Sequence, residues 1–314
     1  MKINKLTILE YIFEIILIIM LSFIYYLNQS IQTPKILYVP KGSINQIISY
    51  LETKHLHVSK VDALMLRVIG SPQSGWIDLK TSYNTRADFL YKLTTAKAAL
   101  HNVTLIPGET TYIFLNQLAK KLHLDREKLQ NEFLKQTSLQ EGVFVPNTYK
   151  FPLGLKEKKL IYLLLTISDL KMKQFSKKIF GTYNQKKWFH YVAIASIIQK
   201  ESANTQEMPL VSSVIYNRLR RGMKLQMDGS LNYGKYSHIK ITPKRIREDK
   251  SSYNTYRYKG VPKLPVCNVS FKAIHAAIFP AKTNYLYFMR SKRGVHDFTC
   301  NYSTHLKNIK HATK

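Results

Sequence analysis

One carboxylate continues an inward-facing stripe of apolar side chains. Tyr191, Ile194, Ile198 and Glu201 follow one another at intervals of 3, 4 and 3 residues, which places them on one face of a helix. Three of the four are apolar or aromatic, so we expect that face to point inward. Burial and the partial negative charge of a helix C-terminus both disfavour an ionised carboxylate. The pattern therefore predicts a raised pKa and a general acid suited to a glycosidic bond, or a glutamate that merely frays into solvent.

The segments around this carboxylate are predicted to be mainly helical. Apolar spacing indicates helices at residues 188–201 and 209–221, and Gly222 is a stop signal for the second. Other elements predicted from the same patterns are helices at residues 157–180 and 271–278, a strand followed by a turn at 141–149, a strand at 284–290, and strand–helix units starting at 36 and 103. Gly42 and Ser43 are candidate caps for the first of these earlier helices.

The N-terminus carries a long apolar run. Residues 11–27 are broken by a single charge, Glu14, and as a helix would reach about 25 Å, near the lower limit for spanning hydrocarbon. No small-x-small cleavage site follows, which favours an uncleaved signal anchor. Lys2 and Lys5 would then stay cytoplasmic and place the rest of the chain in the periplasm. The alternative is an amphipathic helix buried in the protein.

The charge balance is strongly basic. The chain has 48 Lys and Arg against 19 Asp and Glu, a formal charge of +29. Such a field attracts nucleic acid, anionic lipid or an acidic cell-wall polymer, although a solvated basic surface would look the same. No helix-turn-helix, zinc-finger or single-strand-binding signature is present, so nucleic acid is not a predicted partner.

Neither a metal nor a cofactor is predicted. The ten histidines show no metal-ligand spacing, and the glycine-containing segment at residues 70–75 lacks the Lys and Ser or Thr of a phosphate-binding loop. Cys267 and Cys300 form no C-x-x-C pair, which leaves one disulfide or two free thiols.

Several motifs in register resemble a known family. They are ASIIQKESA at residues 195–203, VSSVIYNRL at 211–219, GMKLQMD at 222–228, YNTY at 253–256, GVP at 260–262, PAKTNYLYF at 280–288 and, upstream, EGVFVPNTY at 141–149. In this order they resemble the endolytic murein transglycosylases, the YceG-like family, over most of the chain from about residue 36.

The resemblance implies a lytic transglycosylase that needs no cofactor. Such an enzyme cleaves the bond from N-acetylmuramic acid to N-acetylglucosamine without water and leaves a 1,6-anhydro sugar. The family's catalytic glutamate falls on Glu201, which would act first as acid and then as base. One carboxylate is then enough, whereas a hydrolase normally uses two.

A second carboxylate follows in the family's Q-x-D motif. Gln226 and Asp228 match that motif, and their spacing puts both side chains on one side of an extended segment. They are expected to orient the sugar or to stabilise positive charge near its ring. Asp228 could instead cap a turn with Gly229, where the family usually has proline. A hydrolase with Asp228 as nucleophile or base is the related alternative.

The remaining site candidates come from two other motifs. Tyr253, Asn254 and Thr255 could stack on the sugar ring and bond its hydroxyl or acetamido groups, or they could form a structural turn. Glu141 could tune the pKa of Glu201, or it could hold a loop.

Together these expectations describe an α+β protein built from an anchor and two modules. The predicted segments are a cytoplasmic tail at 1–10, a transmembrane signal anchor at 11–29, a small LysM-like α+β module at 36–100, and a mixed α/β catalytic domain with a helix-borne glutamate at 101–314. Expected partners are peptidoglycan glycan strands, the inner membrane and, by family association, peptidoglycan synthases, with a role in limiting strand elongation. The alternative from another class is a membrane-tethered, non-catalytic polyanion or glycan binder.

Overall fold

The structure is a computed structural model that describes residues 5–313. Residues 1–4 of the predicted tail, with Lys2, and the terminal Lys314 lie outside the described residues. The chain divides into two units. Unit 1 comprises the residues up to His101 together with Phe151–Gly154, and unit 2 comprises Asn102–Lys150 and the residues from Leu155 onward.

Unit 1 begins with a long apolar helix, α1 (Lys5–Asn28). Its 24 residues correspond to about 36 Å, and it is long and apolar enough to cross a membrane by length and composition. None of its described residues is buried, so the alternative of a helix buried within the protein does not describe it.

The rest of unit 1 is a small α+β arrangement. Its elements are β1 (Ser30–Gln32), β2 (Ile36–Val39), α2 (Ile44–Thr53), α3 (Lys60–Ile69), β3 (Gly75–Asp78), β4 (Tyr83–Thr85) and α4 (Arg86–Thr95). Strand β2 pairs antiparallel with β3, and β1 pairs antiparallel with β4. Leu37 and Val39 of β2 are buried while their neighbours are exposed, the alternation of a strand with one face on a core.

Helix caps in unit 1 follow the sequence closely. Ser43 caps α2 as predicted, in a reciprocal capping box with Gln46. Ser59 and Asp62 form the same arrangement at the start of α3. Such caps satisfy backbone N–H groups that a helix leaves unpaired, at about 1 kcal/mol each.

Unit 2 is mainly helical. Its helices are α5 (Thr111–Leu122), α6 (Arg126–Gln136), α7 (Glu157–Phe180), α8 (Gln185–Glu201), α9 (Met208–Arg220), α10 (Pro243–Glu248), α11 (Phe271–Ile278) and α12 (Tyr302–Thr313). Strands β5 (Leu100–Leu105) and β6 (Asn147–Pro152) pair with each other, and each contributes residues to both units. Strands β7 (Tyr287–Arg290) and β8 (His296–Thr299) form an antiparallel hairpin.

Helix α8 runs through the core of unit 2. Its side chains Trp188, Val192, Ile194, Ile197 and Ile198 are fully buried. Each such side chain stabilises the fold by about 1.5–3 kcal/mol relative to leaving it exposed. Because the helix is enclosed on so many sides, the position of its last residue is fixed by the whole core.

The apolar segment before β6 differs from the strand and following turn predicted at residues 141–149. Residues 141–146 are irregular, and the strand covers Asn147–Pro152. Side chains satisfy the backbone instead of a neighbouring strand: Phe144 N donates to Asn268 Oδ1 at 3.0 Å, and Val145 N donates to Ser168 Oγ at 3.1 Å. Buried backbone needs partners but does not need a ladder, so apolar composition alone misjudged this segment.

The strand predicted at residues 284–290 is shorter than expected and covers Tyr287–Arg290. The residues before Tyr287 bond to helix α9 instead of to a neighbouring strand. Asn217 Nδ2 on α9 donates to the carbonyls of Thr283 and Tyr285 at 2.9 and 2.8 Å. Strand pairing therefore begins only after these carbonyls.

Candidate active site

Glu201 is the last residue of α8 and opens onto a cleft. Gly229 N donates a hydrogen bond of 2.6 Å to its Oε1. A Cβ at position 229 would lie 2.8 Å from that oxygen and 2.6 Å from Lys200 Cβ. Only a glycine therefore allows the backbone to approach the carboxyl so closely.

The surroundings of Glu201 favour its protonated form. Burial raises its pKa to about 7, the hydrogen bond from Gly229 lowers it, nearby Asp228 raises it and Arg218 lowers it. The expected raised pKa is thus present, and its main cause is desolvation. Because Oε1 already accepts the N–H of Gly229, the proton of the neutral acid is best placed on Oε2.

The cleft beside Glu201 has a volume of about 380 Å³. Its lining mixes charged groups with aromatic rings, the combination that suits a sugar with polar edges and apolar faces. It is lined by Glu201, Arg218, Gln226, Met227, Asp228, Tyr256, Tyr287, Phe288, Met289, Arg290, His296, Tyr302 and His305.

Gln226 and Asp228 both reach this cleft with exposed side chains, whereas Leu225 is buried away from it and Met227, which also lines it, is almost fully buried. The predicted alternation is therefore present, but the segment is not uniformly extended, because Gln226 has a left-handed φ of 50°. A non-glycine residue in that region carries strain, which is commonly found where a side chain must be aimed at a ligand.

Asp228 begins a short 3-10 turn, Asp228–Leu231. Its carboxylate does not cap that turn through a side-chain bond; Oδ1 accepts a hydrogen bond of 2.7 Å from Tyr256 Oη. Asp228 is thus both the start of a turn and a charged group in the cleft. Tyr256 fixes its orientation, and burial raises the pKa of that tyrosine, which keeps it a donor.

Thr255 fixes the backbone of the Gln226–Asp228 segment on its buried side. Its Oγ1 accepts a hydrogen bond of 2.9 Å from Met227 N, and its carbonyl accepts one of 3.1 Å from Gln226 N. Thr255 itself is buried. These contacts give it a positioning role.

Asn254 and Tyr253 also belong to the scaffold. The Asn254 side chain is buried and donates to the carbonyls of Ile246 and Asp249 at 2.8 and 2.7 Å. Tyr253 stacks on Tyr233 with ring centroids 4.3 Å apart. Neither is among the residues that line the cleft, so these contacts favour the structural turn that the sequence left open.

Glu141 lies in a closed pocket of hydrogen-bond donors. Its carboxylate accepts from Thr111 N, from Thr111 Oγ1 at 2.7 Å and from Gly142 N at 3.1 Å. Burial raises its pKa to about 7, although these bonds lower it. Glu141 is not among the groups that shift the pKa of Glu201, so its contacts favour the loop-holding alternative over the tuning one.

Comparisons with known proteins bear on the whole chain. The model of the YceG-like family matches residues 37–311. The chain belongs to the YceG-like family. A crystal structure of a YceG-like protein from Listeria monocytogenes has the same fold, with a TM-score of 0.58 and 23% identity over 89% of this chain and 99% of that one.

Two similar proteins carry functional names. An endolytic murein transglycosylase of Bacillus subtilis is 34% identical over 37% of this chain, and one of Streptococcus pneumoniae is 29% identical over 54%. The aligned parts span 32% and 31% of those proteins, so this chain spans about a third of the length of the curated relatives it matches.

Arg218 is a cleft residue of this YceG-like chain that the sequence did not single out. It is buried on α9, and its Nε donates to Leu286 O at 2.6 Å while Nη1 donates to Leu225 O. Burial lowers its pKa, yet a guanidinium stays charged in proteins. The YceG-like site therefore has a fixed cation facing Glu201. The sequence signal that could have identified Arg218 is a charged residue among the regularly spaced apolar residues of α9.

His296 of the YceG-like chain was also missed. Its Nδ1 lies 2.7 Å from Glu207 Oε2, and its backbone N donates to Glu207 Oε1 at 2.8 Å. Burial raises the pKa of Glu207, but the bonds from His296 and from Ala203 N lower it overall. This contact connects the loop after Glu201 to strand β8. Glu207 and His296 are 89 residues apart, so no local sequence pattern could predict it.

Helix α12 supplies one wall of the YceG-like cleft. The ring of His305 stacks on Tyr287 with centroids 5.3 Å apart, and Tyr302 packs beside it. Burial, and then the charge of Arg218, lower the pKa of His305, so it is neutral near pH 7.

Both cysteines of the YceG-like chain are free: Cys267 is buried and Cys300 is exposed. Among residues 5–313, no group of three or more His, Cys, Asp or Glu side chains is placed to hold a metal ion.

Proposed function

We propose that this chain is an endolytic murein transglycosylase that cuts peptidoglycan glycan strands without water. The observation that carries the proposal is Glu201, a single carboxyl with a pKa near 7 that opens onto a polar and aromatic cleft. The names of the Bacillus and Streptococcus relatives support the same activity.

In the first step, Glu201 acts as a general acid. Its Oε2 proton passes to the oxygen that links N-acetylmuramic acid to the next sugar, and the bond from that oxygen to the anomeric carbon breaks. Positive charge develops on the muramyl ring, and Asp228 is the anion placed to stabilise it. The new Glu201 carboxylate is stabilised by Gly229 N–H and by the charge of Arg218.

In the second step, Glu201 acts as a base. Its carboxylate takes the proton of the muramyl 6-hydroxyl, and O6 forms a bond to the anomeric carbon. The product is a 1,6-anhydro end, and Glu201 is protonated again. Because Glu201 donates one proton and then recovers one, the reaction needs no second carboxylate and consumes no water.

A muramidase is the second candidate, because Asp228 is another carboxylate in the same cleft. It could activate water or attack the anomeric carbon, as the paired carboxylates of hydrolases do. Its hydrogen bond from Tyr256, which fixes its orientation, favours the stabilising role.

We further propose that α1 is a single-pass anchor in the inner membrane, with unit 2 and the part of unit 1 that follows α1 in the periplasm. The length and apolar composition of α1 support this. In that location the enzyme would limit the elongation of nascent strands beside peptidoglycan synthases. A reporter fused to the C-terminus should be active only in the periplasm, and cytoplasmic activity would overturn the topology.

Residues 36–100 are proposed to form the LysM-like module and residues 101–314 the catalytic domain. The strand–helix–helix–strand order of β2, α2, α3 and β3, with β2 antiparallel to β3, supports the first assignment.

Digestion of purified glycan strands by the full chain tests the proposed activity. Mass spectrometry of the cut ends should show 1,6-anhydro-muramic acid. Reducing muramic acid ends would establish the muramidase, and intact strands would overturn both enzymatic assignments.

A further inference from the structure

Helix α3 presents an apolar face to its surroundings. Val61, Leu64, Val68 and Ile69 are 43%, 60%, 79% and 41% exposed. At 100° per residue these four positions fall within about 140° of the helix circumference. A charged or polar residue would be expected across such a face on a helix that meets only water.

Basic side chains border this face. Lys60 and Arg67 are exposed and lie together on one flank of it. The wider module has the same sign, because residues 30–101 carry nine Lys and Arg against four Asp and Glu, a difference of +5. An apolar helix face with a basic border is the pattern of a helix lying on an anionic membrane surface.

The start of α3 is tied to the end of α1. Tyr26 Oη lies 2.6 Å from Ser59 Oγ, the N-cap of α3, and donates to Asp62 Oδ1 at 3.0 Å. Arg86 Nη1 donates to Asp62 Oδ2 at 2.6 Å and to Tyr26 Oη at 3.0 Å. The Arg86 guanidinium also lies 4.3 Å from the centre of the Tyr26 ring.

This junction is built to be rigid. Asp62 is fully buried and Arg86 is nearly so, and breaking a buried pair by removing one partner costs several kcal/mol. Tyr26 lies in the last turn of α1, and a helix of about 36 Å exceeds the roughly 30 Å hydrocarbon core. Its ring therefore lies at headgroup level if α1 spans the bilayer, and the first turn of α3 lies there with it.

We propose that the exposed face of α3 rests on the anionic surface of the bilayer that α1 crosses. The inference depends on the proposed anchoring through α1 and adds a second, peripheral contact. Two contacts joined by a rigid junction fix the height and tilt of unit 1 above the membrane, which a single flexible tether would leave free.

Site-directed spin labelling of the full chain tests this contact. One exposed cysteine at a time, Val61→Cys, Leu64→Cys or Val68→Cys, is introduced into a Cys300→Ser background in which the remaining Cys267 is buried. Each variant is labelled and reconstituted into vesicles of equal parts phosphatidylglycerol and phosphatidylcholine. Collision rates with oxygen and with a water-soluble nickel chelate report whether each label faces lipid or water. Tyr162→Cys on α7, with the same 60% exposure as Leu64, is the matched control, and Ile18→Cys in α1 reports insertion.

For all three α3 labels, the collision rate with oxygen should rise and the collision rate with the nickel chelate should fall. The Tyr162 label should keep a high collision rate with the nickel chelate. A signal that decays from position 61 to 68 would mean that α3 points away from the bilayer, and it would overturn the proposal. Lipid exposure at Tyr162 as well would also overturn it, because the labels would then be partitioning on their own. Spin–spin broadening at Leu64 without oxygen access would mean that a second copy covers the face.

Failure of the anchor is distinguishable from failure of the α3 contact. If Ile18 is not in lipid, the anchoring itself is wrong; if Ile18 is in lipid and the α3 labels are in water, only the present inference is wrong. Lys60→Glu with Arg67→Glu should shift the α3 labels back toward nickel without moving the Ile18 label. An unchanged α3 signal in that variant would contradict the role of anionic lipid.

Discussion

Two carboxyls of unit 2, the buried Glu141 and the half-buried Glu201, have the same raised pKa of about 7 but different surroundings. Glu141 accepts hydrogen bonds from Thr111 N and Gly142 N, and these bonds connect the start of α5 to the loop that contains Glu141. Glu201 accepts one N–H from Gly229 and opens onto the cleft. A raised pKa alone therefore does not distinguish the proposed catalytic acid from a structural carboxyl; access of the carboxyl to the cleft does.

The largest expected effect is on cleavage by a Glu201→Gln variant. The amide keeps the shape and can still accept from Gly229 N, but it has no proton to donate, so the rate should fall by about 10²- to 10⁴-fold. Glu141→Gln should stay within a few-fold of the wild type at a temperature where it is folded. Rates of anhydro-end release, measured side by side, compare the two. Equal losses in both variants would remove the distinction between them.

The second effect is on stability and depends on pH. The folded pKa of Glu201 lies above its unfolded value of 4.5, so the folded state holds more protons and stability falls as pH rises from about 4.5 to 7. Glu201→Gln removes that loss and should raise the free energy of unfolding at pH 8 by up to about 3 kcal/mol. Urea unfolding at pH 4.5 and 8 measures it. A variant that is less stable than the wild type at pH 8 would contradict the buried-acid description.

The third effect is a loss of stability on changing Glu141, opposite to the gain expected on changing Glu201. Glu141→Ala leaves the buried donors of Thr111 and Gly142 without a partner and should cost about 1–3 kcal/mol of stability. The same urea titration detects it. Full stability together with lost cleavage would show that Glu141 acts in the chemistry rather than in the fold.

The smallest effect concerns the cleft around Asp228. Tyr256→Phe removes the hydroxyl that donates to Asp228 Oδ1 and should lower kcat/KM by about fivefold, the equivalent of about 1 kcal/mol. Tyr258→Phe is a suitable control, because its hydroxyl bonds only the carbonyl of Lys250 among the contacts described. If both variants match the wild type, Asp228 does not need Tyr256 for its orientation.

Local patterns predicted some helices with the right bounds and missed others, namely α3, α4, α6, α10 and α12. Helices at residues 157–180 and 271–278 were predicted with the bounds that the structure has, because apolar spacing coincides with one clear end of each helix: Gly181 after the first and the Ser270 cap before the second. Residues 141–146 were misjudged, because side chains of Asn268 and Ser168 satisfy their backbone, and no sequence window contains both partners.

The candidate site divides in the same way. Glu201, Gln226 and Asp228 all line the cleft. Helical spacing alone left Glu201 either an acid or a fraying helix end, and the three residues were proposed as site residues from the family motifs. Arg218 and His296 were not, because their importance comes from contacts with segments far along the chain. Tyr253, Asn254 and Thr255 were proposed from their motif either to contact the sugar or to form a structural turn, and their contacts favour the turn.

The most direct test of Glu201 as the acid is the pH dependence of kcat/KM for anhydro-end formation by the full chain. The reaction needs Glu201 protonated at the start, so kcat/KM should be flat at mildly acidic pH and fall about tenfold per unit above its pKa of about 7. A profile that instead rises with pH through 4.5 and then stays flat to pH 9 would mean that an ionised carboxylate starts the reaction, and it would contradict the account.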